Sequence, residues 1–238
     1  MEKQIIMQVL VGSQAHGLAG PESDFDYRGV YVLPTQEILS LGYTYKGTHW
    51  VEGEKEDQTA YEIGHFLNLA SKANPTILEM FVAPIHQSYY DVHEKIDGVG
   101  NIVRIAWTKE LRELFPYVYN PKNAFDAFVG YGMNQRKKML DNHLDRWHKY
   151  ATAYLRTVYN LCDLLSTGKF SLKVENEMFK TILMRIREQD SRYSPGSIID
   201  MAEKYISVAK VHLETAKNTQ DLGRVNEFLL KTRKEFWR

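Results

Sequence analysis

The spacing of hydrophobic and polar positions changes character near the middle of the chain. In the first half, short β-rich runs alternate with short helical ones. "IIMQVLV" (residues 5–11) reads as a buried strand by its length and β-branched content, and "FDYRGVYVL" (25–33) reads as a second that stops at Pro34. "GTHWV" (47–51) and "QTAYEI" (58–63) look like the arms of a hairpin around the polar tip "EGEKED". In "EIGHFLNLASK" (62–72), Ile63, Phe66, Leu67 and Ala70 fall at helical spacing, and Asn74-Pro75 supplies a cap and first turn for "TILEMF". From Asn123 onward, five segments carry helical periodicity: 124–140, 148–168, 176–189, 196–217 and 221–237, with Gly168 as a helix stop. The pattern predicts an α+β protein, a small mixed sheet in residues 1–120 followed by a mostly helical domain in 121–238.

Composition sharpens this picture only slightly. A hydrophobic content of 44% with 25% charged residues excludes disorder and collagen-like structure. The apolar runs fall short of the roughly 20 residues a bilayer requires, and Lys3 alone makes no basic leader, so a cytoplasmic protein with no membrane partner is expected. Cys162 is the single cysteine, which rules out an intramolecular disulfide and a thiolate zinc cluster and fits a reducing compartment. The net charge of zero hides an asymmetry. Residues 1–120 hold 9 Lys/Arg and 16 Asp/Glu, a balance of −7, and the remaining 21 Lys/Arg and 14 Asp/Glu give +7. An acidic half joined to a basic half suits an enzyme that holds cations in one place and polyanions beside it.

The chemistry concentrates in "GSQAHGLAGPESDFDYRGVYV" (12–32). On an extended strand Asp24 and Asp26 point one way, with Phe25 and Tyr27 pointing the other way, toward the core. Two carboxylates so placed repel unless something positive lies between them, and oxygen-only ligands favour Mg²⁺ or Mn²⁺. Gly12-Ser13 directly follows the first strand. A glycine lets the backbone approach phosphate oxygens, a serine adds a hydroxyl donor, and a helical turn starting here would aim N–H groups at the same place. Arg28 shares the face of Asp26, where it either neutralises a phosphate or pairs with an aspartate. His16 has both a structural and a phosphate-, base- or substrate-contacting reading.

Strand, Gly-Ser, about ten residues and Asp-x-Asp in series resemble the nucleotidyltransferases of the DNA polymerase β superfamily. With "NPTILEMF" and "HKYATAYLR", the chain is similar to the bacterial and phage predicted-nucleotidyltransferase branch over most of residues 5–170. The resemblance implies two divalent ions, Mg²⁺ or Mn²⁺, and transfer of an NMP from an NTP, with ATP the expected donor, to a hydroxyl acceptor, releasing pyrophosphate. It also implies a third carboxylate among Glu54, Glu56, Asp57 and Glu62. Asp57 is preferred because it shares a face with Thr59 and Tyr61, whereas Glu62 points oppositely and begins the next helix. Asp24, Asp26 and Asp57 then bind metal and carry catalysis. Gly12, Ser13, His16 and Arg28 would bind the nucleotide, joined from the helical part by Lys149 and Arg156, seven residues apart and thus on one helix face. Glu79 is expected to order a neighbour rather than bind metal.

Several readings stay open. Arg136, Lys137 and Lys138 either touch an acceptor or are solvated, and Tyr43, Tyr45 and Trp50 either stack a base or pack. The acceptor is a protein, a tRNA end or a small molecule, and the oligomeric state is undetermined. An alternative is a nucleotide-binding regulatory or antitoxin-like module with little turnover.

Overall fold

The computed structural model describes residues 4–43, 48–50, 59–86, 100–141 and 146–237, with backbone alone at 48–50 and 100–105. β1 (Gln4–Val11) buries Ile6, Met7, Val9 and Val11, as its β-branched run predicts. It pairs antiparallel with β2 (Asp26–Val32), Val11 opposite Asp26 and Val9 opposite Arg28. β2 runs parallel to β4 (Thr59–Glu62), Arg28 beside Thr59, and β3 (Thr48–Trp50) pairs antiparallel with β4. The four strands lie in the order β1-β2-β4-β3, a mixed sheet. The two arms of the expected hairpin therefore pair, and its tip lies outside the described residues.

One expectation needs correction. β2 begins at Asp26, so Asp24 and Phe25 precede the strand, and Phe25 is 62% exposed rather than turned toward the core. Strand alternation applies to Asp26 and Arg28 but does not reach back to Asp24.

Between the sheet strands lie α1 (Gly12–His16) and α2 (Thr35–Ile38), and after β4 come α3 (Ile63–Ser71) and α4 (Pro75–Val82). α3 turns Ile63, Phe66, Leu67 and Ala70 inward. α4 is capped by Asn74, whose side-chain oxygen accepts from the Thr76 and Ile77 N–H groups, with Pro75 in the first turn. Asn74→Ala should therefore cost about 1 kcal/mol in denaturant unfolding; an unchanged midpoint would show that the cap contributes nothing. α5 (Gly100–Glu113) and α6 (Phe115–Val118) were not singled out by periodicity, and α5 packs on β1 with the Thr108 hydroxyl donating to the Ile6 carbonyl.

The helical half holds α7 (Pro121–Asp141), α8 (Trp147–Thr167), α9 (Glu177–Arg187), α10 (Pro195–Thr215) and α11 (Leu222–Glu235), one for each periodic segment. α8 stops at Gly168 in the left-handed conformation. One apolar core takes side chains from β1, β2 and α3–α6 and also Phe128 of α7, Leu161 and Leu165 of α8 and Phe228 of α11, so it runs across residue 120. A second core lies within the helices, and Leu18 from the sheet half is buried in it beside Met139, Tyr154, Leu155 and Leu183. α11 returns to the sheet. Its Arg233 pairs with buried Glu62 at 2.7 Å, and the Arg233 carbonyl accepts from the Thr35 hydroxyl.

Candidate active site

Register places the first components. Val11 ends β1 opposite Asp26, and the chain turns at once into α1 at Gly12, whose φ is +70°. A Cβ on Gly12 would lie 2.1 Å from Asp26 Oδ2, so the carboxylate occupies the space any other side chain would need. Glycine is required here twice over, by backbone conformation and by the closeness of Asp26. The N-cap is Val11, which has no accepting side chain, so the first-turn N–H groups of α1 have no cap. Ser13 is half-buried in that turn. Gly12→Ala is thus expected to displace Asp26 and abolish detectable transfer. Wild-type turnover in this variant would show that Asp26 tolerates displacement.

The loop after α1 folds back on it. Gln14 Nε2 donates to the Ser23 carbonyl at 3.1 Å, and Ser23 Oγ accepts from the Gly20 N–H. Exposed Asp24 is thereby held next to the turn that carries Ser13, and Asp26 reaches the same turn from β2. Among the described residues no three His, Cys, Asp or Glu side chains form a group able to hold a metal ion. Asp57 and its competitors Glu54 and Glu56 lie outside the described residues. Glu62 is the buried N-cap of α3, its Oε2 accepting from the Gly64 N–H at 2.7 Å while Oε1 faces Arg233.

Behind the turn is a buried polar network. His16, the last residue of α1, is 6% exposed, and its Nε2 lies 2.9 Å from Glu79 Oε1 on α4. Arg156 of α8 reaches Glu79 Oε2 at 3.7 Å. Burial by itself would raise the Glu79 pKa, but His16 and the Arg156 and Arg28 charges outweigh it and hold the carboxyl at about 2. His16 is pushed below its ordinary value, first by burial and then by Arg156, with Glu79 opposing. At neutral pH the physical state is a carboxylate balanced by Arg156 and accepting the Nε2–H of a neutral imidazole. His16 and Arg156 are thus both turned toward Glu79, which orders its neighbours.

The sign of the resulting pH dependence follows from linkage. Below about 6.5 the unfolded chain takes up a proton on His16 that the folded chain refuses, and below about 4.5 the same holds for Glu79. Stability contributed by this network is full above pH 6.5 and declines as pH falls toward 2. His16→Gln, which keeps a donor toward Glu79, should flatten the decline between pH 7.5 and 5.5 in thermal melts; parallel profiles for the two proteins would refute this assignment.

The helical half clamps the turn after α1 in other ways that the sequence did not announce. Arg187 Nη1 donates to the Leu18 carbonyl at 2.5 Å, Val174 N–H donates to the His16 carbonyl, and the Lys173 stem lies against Gly17, the left-handed cap of α1. Lys149 is exposed in the first turn of α8. Tyr43 is half-buried beside Tyr31 and Leu33, Tyr45 lies outside the described residues, and Trp50 is described by its backbone in β3. Tyr27 meets the His86 ring at 4.1 Å on the opposite face of the sheet from Asp26.

A mixed sheet whose first strand turns through Gly12-Ser13 into a short helix, with an aspartate of the next strand pressed against that turn, is the layout of a DNA polymerase β-like nucleotidyltransferase. The chain belongs to the RNA repair pathway DNA polymerase beta family, RlaP, whose family model matches residues 1–185. No curated protein and no solved structure matches it significantly. No helix among the described residues is long and apolar enough to cross a membrane.

Proposed function

We propose that this protein is a metal-dependent nucleotidyltransferase that moves an NMP from an NTP, ATP being the expected donor, to a hydroxyl at an RNA end and releases pyrophosphate. The observation that supports the reading is the Asp26 carboxylate lodged against Gly12 at the start of α1, whose first turn has no side-chain cap. The RNA acceptor is supported by the family's description.

Asp24 and Asp26 offer the hard oxygen donors that Mg²⁺ or Mn²⁺ prefers, and Asp57 is the proposed third donor. The parallel register sets Thr59 beside Arg28, and Asp57 stands two residues before Thr59 in sequence. Two such ions would supply charge stabilisation for the in-line displacement and acidify the attacking hydroxyl. The Gly12 and Ser13 N–H groups and the Ser13 hydroxyl bind the β- and γ-phosphates, Arg28 neutralises phosphate charge from the face of Asp26, and Lys149 closes on the triphosphate from the helical half. His16 and Arg156 hold this arrangement through Glu79.

The test is to incubate the protein with each α-labelled NTP, Mg²⁺ and single-stranded RNA bearing either a free or a blocked 3′-hydroxyl. Extension by a labelled nucleotide with stoichiometric pyrophosphate is expected only with the free hydroxyl. Nucleotide binding without pyrophosphate release on any RNA would replace this reading with a regulatory nucleotide-binding module.

A further inference from the structure

The basic run Arg136-Lys137-Lys138 takes no part in the reaction above. α7 and α8 run antiparallel, since Gly132 meets the Tyr154 ring and Val158 while Lys138, further along α7, reaches Tyr150 near the start of α8. The last turns of α7 and the first turn of α8 therefore share one end. Residues 134–150 carry Arg136, Lys137, Lys138, Arg146 and Lys149 against Asp141 and Asp145. Arg136 is turned toward Glu203 of α10, whereas Lys137, Lys138, Arg146 and Lys149 are exposed. Aromatic rings lie among them. The Lys138 ammonium is 5.9 Å from the centroid of half-buried Tyr150, and Trp147 is also half-buried there.

This end of the hairpin is linked to the turn after α1 through Arg187, whose charge reaches His148 in the first turn of α8 and whose Nη1 donates to the Leu18 carbonyl. A polyanion lying across the hairpin end would therefore run toward Gly12 and Asp26. Exposed cations interleaved with aromatic rings are the chemistry of single-stranded nucleic acid binding, in which charge follows the backbone and rings stack on bases.

We propose that the last turn of α7 and the start of α8, through Lys137, Lys138 and Arg146 with Tyr150 beside them, bind the phosphodiester backbone of single-stranded RNA and lead its end to the Asp26 site. The inference rests on RNA being the acceptor. Each phosphate neutralised releases counterions, so these cations set both the affinity and its salt dependence.

The experiment uses the full chain and a labelled 20-nucleotide single-stranded RNA of mixed sequence, titrated across a salt series, with NTP affinity measured separately. Lys137→Gln/Lys138→Gln/Arg146→Gln is expected to lose about tenfold or more in RNA affinity and to flatten the log–log salt slope by about 2, with NTP affinity unchanged. A control pair on exposed α10, Lys204→Gln/Lys210→Gln, should leave both nearly as in wild type. Unchanged RNA affinity and slope in the triple variant would overturn the surface and leave the transfer reaction standing. An equal loss in the control pair would overturn it too, since the effect would then be one of net charge. Polyglutamate displacing the RNA as well as unlabelled RNA does would point to an acidic protein partner and overturn the RNA assignment. RNA binding that depends on these three residues, in a protein that transfers no nucleotide, would support the surface and refute the reaction.

Discussion

Asp26→Asn is expected to lower turnover by at least about 10²-fold, because charge stabilisation at the reacting phosphate is usually worth a few kcal/mol and this carboxylate is central to it. The amide keeps the shape of the side chain, so it still fits the space over Gly12, where an added Cβ would lie 2.1 Å from Oδ2. Asp26 is also half-buried rather than enclosed. Melting temperature should accordingly stay within a few degrees of wild type in the absence of metal. The contrasting possibility is that Asp26 serves the fold through Arg28, two residues away on the same strand face. A partly exposed pair of that kind contributes only about 0–1 kcal/mol, and its loss would lower stability while sparing activity. A thermal melt and a turnover assay on this single variant distinguish the two: a lowered melting temperature with near-normal turnover would remove Asp26 from catalysis.

Glu79→Ala should have the largest effect on stability, about 3–5 kcal/mol in equilibrium unfolding, because it strands two partners in a buried place. The His16 ring, 6% exposed, would lose its acceptor, and Arg156, with its side chain 14% exposed, would lose its counter-charge. Glu79→Gln separates these contributions. Its amide oxygen can still accept the His16 Nε2–H, but it leaves the guanidinium unbalanced, so an intermediate loss is expected. Both variants should also weaken NTP binding, since His16 ends the helix that begins with Gly12 and Ser13. Equal stability for wild type and Glu79→Ala would mean that the network at 2.9 and 3.7 Å contributes nothing net to the fold.

Much of the fold was written locally. Alternation and β-branching mark β1 and β2, Asn74-Pro75 marks the start of α4, Gly168 marks the end of α8, and the helical half shows one periodic segment for each of the five helices among its described residues. These features depend on neighbours within a few residues, where sequence spacing and physical distance are nearly the same thing. Gly12-Ser13 and the aspartates were legible for the same reason, as a turn chemistry next to a strand chemistry. What stayed hidden was where regular structure begins and what a face packs against. Phe25 alternates with the aspartates in sequence yet is exposed, because β1 ends at Val11 and leaves residues before Asp26 without a partner strand. His16 and Glu79 are 63 residues apart, and no periodicity connects them; only the packing of α4 and α8 around α1 turns a histidine, a glutamate and an arginine into one buried network. Glu62 shows the same division: its place at the start of a helix could be read from the strand–helix boundary, but its neutralisation by Arg233 required α11 to fold back across the sheet. Burying a charge is tolerable only when a distant partner arrives to balance it, and tertiary packing alone decides which partner that is.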